Sequence, residues 1–225
     1  MALTLVIVLS VLFAATHILM SHGIIRKGLV DKLGEWGFRG VYSAVSLVTL
    51  VGAIVIFWKY RASMGEFLWM PTHWTLILTY PLVLLAFLLL GFMVANPSPT
   101  GMMPAAMEPR GVLRITRHPM NMGIAAFALG HMASNPRPGE LFLFGSLFVV
   151  GFFGAYHQDR RKAREKGDEF KEFQKKTSIL PFAALVQGKT RLELRDFSFI
   201  VLVIVLIAFV AMLYLHGRLF GVYPY

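Results

Sequence analysis

The amino-acid sequence predicts an all-α membrane protein, a polytopic bundle of about six transmembrane helices forming one domain over residues 1–225. Three observations predict it. The chain is 56% hydrophobic and 15% charged, with a mean hydropathy of +0.64, whereas soluble domains sit near 45–50% apolar and about 25% charged. Six apolar runs recur, at residues 3–20, 41–58, 74–94, 119–132, 141–156 and 197–215. The basic residues are unevenly shared, with 18 of the 22 lysines and arginines in the first, third and fifth connections. By the positive-inside rule those connections are cytoplasmic and both termini lie outside.

The first run follows Met-Ala-Leu-Thr, which lacks a basic leader region. Its apolar length exceeds the roughly 7–15 residues of a signal core, so a retained helix in a bacterial inner membrane is expected. The second and third runs reach the ~17–25 residues that a span requires. Residues 96–109 hold four prolines and three methionines, which forbids continuous helix and suits a linker or a lid over a pocket. The fourth run is too short for a comfortable span and is expected inside the bundle. The fifth run ends near Tyr156, and residues 158–195 read as a long cytoplasmic loop. Within it, residues 160–176 alternate charge at helical spacing around Phe170 and Phe173, the pattern of an interfacial amphipathic helix. Pro181 disfavours helix at Leu180 and ends that segment. The sixth run closes the bundle.

The net charge of +10 is a topology signal with an attraction to anionic membrane lipid headgroups; no basic soluble region exists to serve nucleic acid. The chain contains no cysteine, which excludes disulfides, thiolate-ligated haem, iron–sulfur clusters and cysteine catalysis. Small residues cluster at Gly123, Ala125, Ala126 and Gly130, and again at Gly145, Gly151, Gly154 and Ala155. They allow either close helix approach or a flat cofactor between helices.

The densest chemistry lies in the hook Arg114-Ile-Thr-Arg-His118-Pro119 and the apolar stretch running from it to His131. Ionisable groups against such a background are functional candidates by default. Of seven histidines, His73 and His216 fall at outer interfaces, and His22 and His157 at cytoplasmic helix ends. His17, His118 and His131 adjoin apolar sequence. His118 precedes Pro119 and suits the cap of the helix that Pro119 starts. Imidazoles from two helices can hold a haem iron when no thiolate is available. A histidine such as His17 can equally hydrogen-bond to backbone or to Thr16.

The segment Gly111–Gly123, the pair Gly130-His131, Asp159-Arg160-Arg161, Lys175–Lys189 and Gly34–Leu47 together resemble the NnrU family, most closely its 15-cis-ζ-carotene isomerase branch. That resemblance implies a haem b whose iron is held by His17 and His131, with Arg114, Arg117, His118, Arg160 and Arg161 around the cofactor. It implies a cis–trans isomerase of a carotene-like polyene, with an electron donor that the sequence does not identify. The plant isomerases have cysteine where this chain has Ala128 and Asn-Gly where it has His157-Gln158. Helical rise sets His131 about 20 Å from His118, so His118 competes as the partner of His17. The family also implies an alternative, an accessory role in nitrite and nitric-oxide reduction.

The motif Arg-His-Pro-x-x-x-Gly, with Gly167–Phe173 and Pro181, also resembles the isoprenylcysteine and phospholipid methyltransferases. That likeness implies S-adenosylmethionine as cofactor. The tyrosine usual after the hook and the paired glutamates of the charged segment are missing here.

Overall fold

The computed structural model describes residues 1–101 and 107–222. Among them are eight α-helices and no strand: α1 (Ala2–Ser21), α2 (Gly23–Lys59), α3 (His73–Ala95), α4 (Val112–Ile115), α5 (Pro119–Ser134), α6 (Pro138–Lys176), α7 (Ala183–Val186) and α8 (Phe199–Phe220). Five of these, α1, α2, α3, α6 and α8, are long and apolar enough to cross a membrane. Their apolar residues lie largely exposed, Leu47, Val48, Ile77, Ile204 and Ile207 among them. An apolar surface that extensive belongs in lipid.

α5 carries the fourth apolar run. Its 16 residues span about 24 Å, short of the ~30 Å hydrocarbon core. As expected, it lies inside the bundle, packed between α3 and α6. The neighbours run α2, α1, α6, α5, α3, α8 across the fold. Small residues let α5 sit so close. A Cβ on Gly123 would come 3.0 Å from Leu90 Cγ, and one on Gly130 would come 3.2 Å from the Thr79 carbonyl.

Two connections expected as loops are helix. α2 starts at Gly23, well before its apolar half, and is interrupted only at Gly34, where φ is +70°. α6 continues past Tyr156 to Lys176, broken only at Gly167 with φ +60°. Residues 158–176, expected as the start of a loop and a separate amphipathic helix, therefore extend the fifth span with one kink at Gly167, and only residues after Lys176 form the connection. The reason is that a change from apolar to charged residues is not a helix breaker. Arg, Lys and Glu are good helix formers, and no proline or glycine intervenes before Gly167. That extension is not simply solvated: Phe170 and Phe173 are buried against Leu113. His157 accordingly sits inside α6, not at a helix end. His22, in contrast, is the cap between α1 and α2.

Residues 102–106 of the proline-rich segment lie outside the described residues. The part before them packs inward: Ser98 Oγ donates to the Arg117 carbonyl at 2.6 Å, and Ser98 and Thr100 are buried.

The α5–α6 contact is closest at Gly151, where a Cβ would stand 2.7 Å from the Asn121 carbonyl and 3.2 Å from the Ala125 amide. Both neighbours are backbone and cannot turn aside. Gly151→Ala is expected to destabilise the fold by about 1–3 kcal/mol through overpacking. Gly145→Ala on the same helix, with nothing within 4 Å of the new carbon, is expected to be neutral. Thermal unfolding of both variants in neutral detergent checks the pair; equal midpoints would disprove the contact.

Candidate functional site

The hook starts at Gly111, whose φ of +50° and 2.2 Å clearance between a built Cβ and Asn96 Oδ1 admit only glycine. One turn of helix, α4, then gives way to extended Thr116. His118 caps α5 and Pro119 is its first residue, as the sequence predicts. The hook is stitched to the segment after α6: Arg117 N–H donates to the Ser178 carbonyl at 2.9 Å, Thr116 Oγ1 to Ile179 at 2.6 Å, and Phe182 N–H to Ile115 at 2.9 Å.

This brings Arg117 and His118 onto Asp159 of α6. Arg117 Nε donates to Asp159 Oδ1 at 2.9 Å, and its Nη2 lies 2.5 Å from Oδ2. His118 Nε2 lies 2.6 Å from Oδ1, and Gln174 Nε2 donates to Oδ2 at 2.9 Å. Arg117 Nη1 reaches the Thr177 carbonyl at 2.9 Å. All three principal side chains are buried. Burial pushes the His118 imidazole below its usual range and outweighs the opposing hydrogen bond to Asp159. The ring is therefore neutral at pH 7, donates through Nε2–H, and keeps Nδ1 as a buried acceptor without a partner. The cluster has the form of a charge-assisted latch, with arginine and carboxylate compensating one another out of water.

Arg114 turns the other way. Its Nε donates to Asp196 at 2.9 Å, its Nη2 to Glu193 at 2.7 Å, and its Nη1 to the Arg191 carbonyl at 3.1 Å. Burial would raise the Asp196 carboxyl, but the hydrogen bonds and charge of Arg114, with the Gly111 amide, hold it below the usual carboxylate range. Arg114 and Arg117 thus spend their donors on protein acceptors, which fix the hook to α6 and to the chain entering α8.

His17 and His131 are not brought together. His17 Nδ1 lies 3.1 Å from Ser46 Oγ, and its ring packs on Tyr42 of α2 with centroids 4.6 Å apart. His131 Nδ1 bonds the Phe127 carbonyl at 2.9 Å, and its ring packs on Phe144 of α6 at 4.8 Å. α1 and α6 run side by side in the same direction, Val6 against Leu143 and Ser21 against His157. His17 is therefore roughly nine residues, or ~13 Å, further along α6 than His131. One iron needs both imidazoles facing each other across it, and this pair does not fit that requirement. His118 commits Nε2 to Asp159. The histidines that do approach are His22 and His157, with ring centroids 6.0 Å apart. Together with Arg160 and Arg161 they line a cleft at the end of the bundle.

A second space opens between α1 and α6, about 570 Å³ in volume, lined by Ser10, Val11, Ala14, Ala15, Ile18 and Leu19 from α1 and by Leu141, Phe142, Gly145, Ser146 and Val149 from α6. It exists because small residues face each other across the pair, Ser10 and Ala14 against Gly145 and Ser146. No charged group lines it.

Sequence reasoning missed Asp159, the acceptor that unites the hook, although it opens the Asp-Arg-Arg motif. Its signal is a carboxylate standing at the head of a basic stretch, where the apolar part of α6 ends. Glu193 and Asp196 carried no comparable signal, because their partner lies about 80 residues away in sequence.

A family model described as "NnrU protein" matches residues 5–224. The 15-cis-zeta-carotene isomerase of the Zea mays chloroplast is 27% identical over 198 residues, 83% of this chain and 51% of that protein. Its Arabidopsis thaliana counterpart is 27% identical over 195 residues, 78% of this chain and 51% of that protein. The chain spans about half the length of these curated relatives. No solved structure matches it.

Proposed function

The chain belongs to the NnrU family, and from that premise we propose that it is a membrane-embedded cis–trans isomerase of a long apolar polyene, with the substrate lying in the groove between α1 and α6. The observation that carries this reading is the groove itself. Its volume of about 570 Å³ and its uncharged walls suit an apolar chain entering sideways from lipid. Carotene isomerase activity, named for the two plant relatives, is the matching chemistry.

Rotation about a carbon–carbon double bond adds and removes no atoms and involves no net redox change. The protein's part is to hold the polyene in one register, exclude water and favour the twisted geometry of the transition state. Val11, Ile18, Leu19, Leu141, Phe142 and Val149 supply the apolar grip. Ser146 Oγ donates to the Leu143 carbonyl at 2.7 Å, whereas the buried Ser10 hydroxyl has no hydrogen-bond partner. Haem b, which the family resemblance implies, would supply electron exchange with the double bond. His17 and His131 do not fit a shared iron in this arrangement.

The test is expression in cells that accumulate 15-cis-ζ-carotene, with the products separated by chromatography. Appearance of the 15-trans isomer is expected. Its absence, with the protein folded in the membrane, would overturn the reading in favour of an accessory role. An absorption spectrum of the same purified protein tests the cofactor. A haem band lost in His17→Ala and in His131→Ala would show that the two histidines rearrange to share an iron.

A further inference from the structure

The end of the bundle that carries the hook also carries an unbalanced group of cations. Because α6 runs on beyond its apolar part, it presents His157, Arg160, Arg161 and Arg164 toward the junction of α1 and α2. Asp159, the only acid in that stretch of α6, is turned away into the latch with Arg117. Across from these residues, His22 breaks the chain between the helices with ψ 136°, and the first turn of α2 has no side-chain cap. The cleft between them has a volume of about 510 Å³.

Two of its three arginines lack an acidic partner. Among the described residues no carboxylate lies within ion-pair distance of Arg160 or Arg164. Arg164 Nε reaches only the Arg160 carbonyl, at 3.3 Å. The Arg164 guanidinium lies across the start of α2, with Nη2 at 3.2 Å from where a Cβ on Gly23 would be. Arg161 Nε is buried without a hydrogen bond, and its nearest acid is Glu165 at 3.5 Å, which also pairs with Lys162 at 3.1 Å. The like charges repel one another, and His157 is pushed toward its neutral form by burial, by His22 and by Arg160. The charged side chains that line the cleft are all cationic, and no carboxylate lines it.

We propose that this cleft is a binding site for a phosphate group. Guanidinium forks pair with phosphate oxygens two at a time, and free amides at a helix start add donors on the remaining side. A phosphate spreads its acceptor oxygens tetrahedrally, so donors converging from α6 and from the start of α2 can be used together. The phosphate is either free in solution or the head of a membrane lipid, since the cleft sits where spans end. This inference does not depend on the isomerase reading, and its test requires no carotene.

The experiment uses the whole chain in neutral detergent and measures saturable stabilisation against heat by two probes: inorganic phosphate, and phosphatidylglycerol in mixed micelles, with diacylglycerol as the uncharged control. Native mass spectrometry counts retained lipid. At least one phosphate probe is expected to bind. Arg160→Gln/Arg164→Gln is expected to weaken it about tenfold or more, as loss of charge-assisted hydrogen bonds implies. Lys171→Gln/Lys175→Gln, which removes two exposed cations outside the cleft, is expected to bind like the parent. Arg160→Lys/Arg164→Lys keeps the charge and checks that the fold survives substitution there. Binding of phosphatidylglycerol alone identifies a lipid head, and equal binding of inorganic phosphate identifies a free ligand. If neither probe binds, or if both glutamine pairs weaken binding equally, the proposal is overturned.

Discussion

Asp159→Ala is expected to remove most of the stability of the fold. The carboxylate accepts from Arg117, His118 and Gln174, all at 2.9 Å or less for their shortest contacts. Deleting it leaves the Arg117 guanidinium buried with only the Thr177 carbonyl at 2.9 Å. Breaking one partner of a buried pair costs about 3–5 kcal/mol, comparable with the whole margin of many domains. Asp159→Asn keeps an acceptor but not the charge and should fall between. Removing both partners, as in Arg117→Met/Asp159→Leu, should recover much of the loss, because no unpaired charge then remains in the interior. Thermal unfolding in detergent, read as a double-mutant cycle, measures this. An additive double mutant would show that the two side chains do not interact.

Gly145→Phe is expected to abolish polyene isomerisation while leaving the fold intact. Gly145 lines the α1–α6 groove, and a carbon built on it meets nothing within 4 Å. A benzyl group there fills space that the substrate needs without pressing on its neighbours. Small displacements of a substrate already cost about a hundredfold in rate, so full obstruction should bring turnover to background. Leu78→Phe, which adds similar bulk on the exposed side of α3, should leave the rate unchanged. Unimpaired conversion by Gly145→Phe would move the substrate elsewhere.

How much of this was legible in the sequence depends on what each signal measures. Apolar run length is a local property, and it correctly separated the long spans from α5. The small residues between Gly123 and Gly130 left close packing and a flat cofactor equally open, and both glycines lie against α3. Polarity, however, is no proxy for the end of a helix at Tyr156 or for a loop before Val41. Backbone hydrogen bonding does not stop where lipid stops, and both helices continued until a glycine turned them. The hook was legible as a place where ionisable groups need an explanation. Its partners were not, since Asp159 pairs across 42 residues and Glu193 across 79, and pairing at such separations leaves no periodic trace. The same holds for His17 and His131: spacing along the chain says nothing about whether two helices present their histidines at one depth.

The latch also orders events in time. Arg117 leaves the ribosome 42 residues before Asp159 and 60 before Thr177. Until those residues are made, the hook holds an uncompensated cation at the mouth of the shortest apolar helix. Both a neighbouring wall for α5 and the counter-charge for its hook come from α6, so the latch is complete only once α6 has been made.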